Sequence, residues 1–190
     1  MAKKLIVLIV FCISGGFADD SISAKQSAFF TPQLSVSYRI PVLKTERYWN
    51  PYAAAGLHLV FPSTIPQIQC IARFEVGRLY NHDETKVANC AHFLLGIQYN
   101  DLLKKSIFSL SPQIGITNMT ESVQDVSADF FRHIFRDVEN EFGFNIGVSP
   151  NINYKHLRLS LPLQFEKTLS SPERFNTITI SLYAGYLFDL

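Results

Sequence analysis

The stretch FGFNIGVSPNINYKHLRLSLPLQF, residues 142–165, decides how the chain folds. Phe142, Phe144, Ile146, Val148, Pro150, Ile152 and Tyr154 hold the even positions. After Lys155-His156 the apolar set moves to odd positions, Leu157, Leu159, Leu161, Leu163 and Phe165. Successive side chains of a strand point to opposite faces, so period-two alternation marks a strand with one apolar face. A parity change across two residues places a tight hairpin turn at Lys155-His156.

The same alternation extends outward in both directions. It predicts strands over residues 34–42, 53–61, 68–77, 90–99 and 108–116 before this hairpin, and over 178–190 after it. The gaps after odd strands are longer than those after even ones, which gives one end loops and the other end turns. An even number of meandering strands with that asymmetry predicts an all-β, eight-stranded antiparallel up-and-down transmembrane β-barrel over residues 28–190.

Composition agrees with strands in lipid. Charged residues are 17% of the chain, low for a water-facing surface. Beyond the N-terminus no apolar run reaches about 18 residues, so no membrane-spanning helix is available. Lys3 and Lys4, the apolar run Leu5–Ile13, and small residues at Gly16 and Ala18 read as a secretory signal peptide, residues 1–18. Phe11 stands where a lipoprotein anchor at Cys12 would need a small residue. Without those 18 residues the chain has 15 Lys+Arg against 16 Asp+Glu, a balance that offers no field for nucleic acid. Residues 19–27 read as a flexible periplasmic lead.

Two barrels fit the alternation. In a soluble, lipocalin-like periplasmic barrel the apolar face would line a ligand cavity; in a membrane barrel it faces lipid. Gly56, Gly77, Gly96, Gly115, Gly143, Gly147 and Gly185 all share the polar face, as suits the cramped interior of eight strands. Arg39, Arg73, Glu75, His92, Glu141, Arg158 and Glu166 share it too, a set of both signs that predicts a paired polar lumen.

On these residues the chain resembles the small eight-stranded bacterial outer-membrane barrels, the class of the outer-membrane protein A transmembrane domain and outer-membrane protein X. Tyr183, Gly185, Tyr186, Phe188 and Leu190 look like that family's C-terminal insertion signal, although the family more often ends in Phe. The resemblance implies residence in a Gram-negative outer membrane, contact with its lipid, and a biogenesis partner in the barrel assembly machinery. It implies a structural or surface-interaction role, and no cofactor or metal.

Chemistry is sparse. Strand parity aims Cys70 outward and Cys90 inward, against a disulfide, and neither belongs to a metal-ligand spacing. His58, His92 and His156 raise the alternative of a lipid-modifying enzyme of the lipid A deacylase or acyltransferase kind, but no compact Ser-His pattern accompanies them. In the third loop, Thr120–Asn140, Val123, Val126, Phe130, Ile134 and Val138 recur at helical spacing, widened by Phe131 and Phe135. With Ser122 and Asp125 as a capping start, this predicts an amphipathic extracellular helix that packs on the barrel mouth or lipid interface, or docks a surface protein partner.

Overall fold

The structure, a computed structural model, describes residues 29–43, 45–65, 67–99, 107–125, 138–169 and 176–189. The strands are β1 (Phe29–Pro41), β2 (Tyr52–Pro62), β3 (Ile68–Tyr80), β4 (Lys86–Tyr99), β5 (Phe108–Asp125) and β6 (Val138–Tyr154). The seventh, β7, runs as Leu157–Ser160 and Leu163–Thr168, and β8 as Thr177–Tyr186 and Phe188–Asp189. Each pairs antiparallel with its chain neighbours, and β8 pairs with β1, so the sheet closes on itself and has no free edge. All eight strands read from the alternation are present.

Pro162 explains the break in β7. Proline has no N–H to give the ladder, yet Asn151↔Ser160 and Val148↔Leu163 continue one register across it. The Pro162 carbonyl still accepts from the Ser181 N–H at 3.0 Å.

Closure requires a stagger. Register partners followed around the barrel from Thr31 pass through Val60, Ile71, Gly96, Gly115, Asn145, Glu166 and Thr177 and return to β1 at Pro41. The circuit therefore climbs ten residues along the strand. With eight strands about 4.8 Å apart and about 3.3 Å per residue, that stagger tilts the strands by about 40°.

The sides of the barrel are inverted relative to a protein in water. Leu34 is 72% exposed and Phe142 66%, and Val36, Ile114, Ile146, Ile180 and Leu182 are exposed with them. Between them Gln33, Ser35, Ser37 and Arg39 of β1 are buried. The even parity of β6 and the odd parity of β7 lie on the same outer face, because Ile152 pairs with Leu159. Around the turn end, outward aromatics touch from strand to strand, Phe30–Phe61 at 5.2 Å between ring centroids and Phe30–Phe188 at 6.4 Å, and along β8, Tyr186–Phe188 at 4.8 Å. Such a girdle suits the level of lipid headgroups.

Strong coiling accounts for inward glycine. A Cβ on Gly56 would lie 1.9 Å from the Phe74 carbonyl oxygen, and one on Gly96 2.4 Å from that of Ile114. Gly96 faces Gly115 directly in register, so β4 and β5 meet there without side chains.

Two expectations are corrected. A helix beginning at Ser122 is excluded, because Thr120–Asp125 continue β5 and Val138–Asn140 belong to β6, with Ser122 paired to Val138. Their backbone groups are spent on the ladder, so Val123 and Val138 cannot start and end a helical stripe. Val126, Phe130, Ile134, Phe131 and Phe135 lie outside the described residues. Loop lengths also alternate less: β3 and β4 extend toward each other and leave only Asn81–Thr85 between them, the same length as Ser63–Gln67 at the other end.

Candidate functional site

The interior of eight strands has room for side chains and little else, and here they divide by level. Toward the turn end the filling is amides and hydroxyls beside the buried Arg158: Asn151 Nδ2 donates to Ser111 Oγ at 2.9 Å, and Gln98 Nε2 to Gln69 Oε1 at 2.8 Å. Toward the loop end Tyr52, Ala54, Leu79, Ala88, Cys90 and Met119 form an apolar layer, with Trp49 packed against it.

Between these levels lies a charge cluster of zero formal sum. Arg39 donates Nη2 to Glu75 Oε2 at 2.6 Å and Nη1 to Glu166 Oε2 at 2.5 Å. Arg73 donates to Glu166 and to Gln164, and its Nη1 lies 3.0 Å from the Tyr183 hydroxyl. Ser37 Oγ donates to Glu75 Oε1 at 2.5 Å, and Asn145 Nδ2 reaches Glu166 Oε1 at 3.4 Å. All four charged residues are buried. Buried charges persist where each is paired and hydrogen-bonded, because the desolvation of either ion alone is large. The gap beside Glu166, bordered by His92, Glu141 and Thr168, is about 10 Å³, the space of about one water.

Of the residues read from the sequence, Arg39, Arg73, Glu75 and Glu166 meet directly, and His92 Nδ1 lies 4.0 Å from Glu166. Glu141 and Arg158 are buried on the same inner face, Glu141 nearer the loops and Arg158 nearer the turns. The histidine rings are engaged away from serine: His92 Nε2 is 2.8 Å from the Tyr52 hydroxyl, His58 stacks on Tyr183 and His156 on Tyr186. Cys70 pairs across from outward Ile97, while Cys90 is buried inside, so the two side chains lie on opposite faces of the sheet. In β8, Tyr183 and Gly185 face inward and Tyr186 and Phe188 outward; Leu190 lies outside the described residues.

Ser37, Tyr52, Asn145 and Gln164 escape the sequence reading, and Tyr183 enters it only within the insertion signal, although inward parity marks every one of them. A second site left no such signal. Above β1–β4 a cleft of about 390 Å³ is lined by Arg47, Tyr48, Trp49, Asn81, His82, Asp83, Lys86 and Val123. Six of these eight residues lie in loops, where period-two patterning stops, and Lys86 and Val123 come from the ends of β4 and β5. Its walls are tied: Trp49 bridges to Asn81, the Asn50 N–H donates to the Tyr80 carbonyl at 2.9 Å, and the His82 N–H to that of Tyr48 at 3.2 Å. Asn176 ties the fourth loop to the first, taking a bond from Val42 N–H and giving one to Thr45 Oγ1, each 2.8 Å.

A closed, inside-out barrel of eight antiparallel strands with a filled polar lumen is the fold of the small outer-membrane β-barrels. The solved structures say the same. The attachment invasion locus protein Ail of Yersinia pestis matches with a TM-score of 0.53 at 11% identity, over 85% of this chain and 97% of that one. Neisserial surface protein A matches at 0.52 and 12% identity, over 85% and 97%. A major outer membrane protein from Thermus thermophilus matches at 0.51 and 10% identity, over 86% and 100%. At such identities the likeness carries the fold alone. No protein-family model and no curated protein matches the sequence.

Proposed function

We propose that the chain is an outer-membrane protein of a Gram-negative bacterium, exported through a leader at residues 1–18, that sits in lipid as a closed barrel and acts at the cell surface through its outer loops. The observation that carries this reading is the inversion of polarity, with Leu34, Val36, Ile114 and Ile146 outward and the Arg39–Glu75–Glu166–Arg73 cluster inward. Exposed aliphatic side chains on every strand favour hydrocarbon over water, and paired charges inside a lumen escape the cost they would carry in lipid. The salt-bridged filling supports a structural or binding role over a wide pore. The tied cleft over β1–β4 gives the surface a shaped contact region. Outward Tyr186 and Phe188 support recognition of the last strand by the assembly machinery.

The test is fractionation with heat-dependent gel mobility. The folded barrel is expected in the outer membrane, migrating differently before and after boiling; recovery as a soluble periplasmic protein would overturn the reading. Replacing Phe188 and Leu190 together by Asp should stop assembly, and normal insertion of that variant would remove the role given to the last strand. Mass spectrometry of lipid A with and without the gene addresses the enzymatic alternative, for which a changed acyl pattern would speak.

A further inference from the structure

The chemistry of one loop histidine points to a device that no strand pattern announces. His82 spans two loops with both ring nitrogens: Nδ1 lies 2.8 Å from Asn50 Oδ1, and Nε2 2.7 Å from the Glu46 backbone carbonyl. A carbonyl oxygen only accepts. The Asn50 amide is oriented by its other end, since its Nδ2 donates to the Asn81 carbonyl at 3.1 Å, which leaves Oδ1 toward His82. Turning that amide would set oxygen against oxygen at Asn81. Both partners of the ring are therefore acceptors, and both ring nitrogens must carry hydrogen. Neutral imidazole carries only one.

We propose that His82, as the imidazolium, is a proton-operated clip between the first and second outer loops, and that it sets the shape of the cleft beside it. On loss of the proton to water one nitrogen lone pair faces a carbonyl oxygen, and that tie opens. The anchoring around the clip is built to hold the acceptors still. Asn81 Nδ2 bonds Thr85 Oγ1 at 3.0 Å, its Oδ1 takes the Lys86 N–H at 2.8 Å, and the Glu84 N–H bonds its carbonyl at 3.0 Å. On the other side the Glu46 carbonyl belongs to the short 3₁₀ turn Thr45–Arg47, fastened through Thr45 Oγ1 to Asn176.

Among the described residues, the charged and titratable neighbours come from three elements. The first loop supplies Glu46, Arg47 and Tyr48, the second Asp83 and Glu84, and β4 supplies Lys86; β5 contributes apolar Val123. The inference stands on loop geometry and not on membrane residence: the same loops on a soluble barrel would carry the same clip.

The chain provides its own reporter. Its single tryptophan, Trp49, sits in the bridge to Asn81 and lines the cleft. In the full-length folded protein in detergent micelles, Trp49 emission should step at the pH where ¹⁵N spectra show the His82 ring losing one of its two nitrogen-bound protons, with both nitrogens protonated on the acid side. His82→Gln should abolish the step with the barrel still heat-modifiable. Asn50→Asp, which sets a carboxylate against Nδ1, should move the step to higher pH. A flat wild-type titration, a step surviving in His82→Gln, or a singly protonated ring at acid pH would each overturn the clip. If His82→Gln does not assemble, the ring spectrum and the Asn50→Asp shift decide alone.

Discussion

Arg39 and Glu166 stand 127 positions apart in the chain and 2.5 Å apart in the barrel, guanidinium Nη1 donating to carboxylate Oε2. The first strand and the seventh are linked there inside the lumen, and Glu75 on the third strand takes the other guanidinium nitrogen at 2.6 Å. One cation holds two carboxylates from opposite ends of the sequence. Its removal leaves both with Arg73 as the only remaining guanidinium of the cluster.

Arg39→Ala is accordingly expected to destabilise the barrel by about 3–5 kcal/mol, the range for breaking a buried pair. Unfolding by urea in lipid vesicles, read from gel mobility, measures it. Arg39→Ala combined with Glu166→Ala should cost clearly less than the two single losses added. Strict additivity would mean that the two side chains do not interact.

Gly56 carries a different constraint. A side chain there runs into the Phe74 carbonyl and comes within 2.7 Å of the Glu75 Cα, so the strand bearing Glu75 must shift. Gly56→Val is expected to lower the yield of heat-modifiable barrel sharply, whereas Ala55→Val, on the outward face of the same strand, should leave it intact. Equal yields from the two variants would show that the close approach is unimportant.

Lys155 has φ of 53°, a left-handed conformation at the first position of the two-residue turn. That conformation costs a non-glycine residue about 1–2 kcal/mol. Lys155→Gly should therefore raise stability by up to about 1 kcal/mol, after the greater entropy of glycine in the unfolded chain is subtracted. A lower urea midpoint in this variant would place the strain elsewhere.

Val36 faces outward midway along β1, and its neighbour Ser37 faces inward. In a bilayer, Val36→Arg should cost about 2–4 kcal/mol, as arginine does on the lipid side near the midplane of such barrels. In a water-soluble barrel the same change would be close to neutral. The measurement is again unfolding in vesicles, and a neutral result would count against lipid around this face.

Parity alone makes most of the barrel legible. Residues 142–165 contain a full hairpin because side chains must alternate and because the apolar set changes step at Lys155-His156. The same rule assigns Arg39, Arg73, Glu75 and Glu166 to one face, and Gly56 and Gly96 with them. It fails at the third loop, where Val123 and Val138 fit a 3.6-residue period as well as a strand. Backbone pairing of Ser122 with Val138 overrides the helical spacing. It is silent at Asn50, His82 and Asn176, whose roles come from single hydrogen bonds between loops.

The sequence by itself determined which side chains point inward, since alternation is a local property of an extended backbone. Tertiary structure alone decided which of them meet. Glu75 shares its register row with Ser35, and Glu166 shares one with Thr31, yet both bond Arg39 further along β1. The ten-residue stagger needed to close eight strands raises each successive row along the axis, and that climb, invisible in any one strand, brings Arg39, Glu75 and Glu166 to the same level.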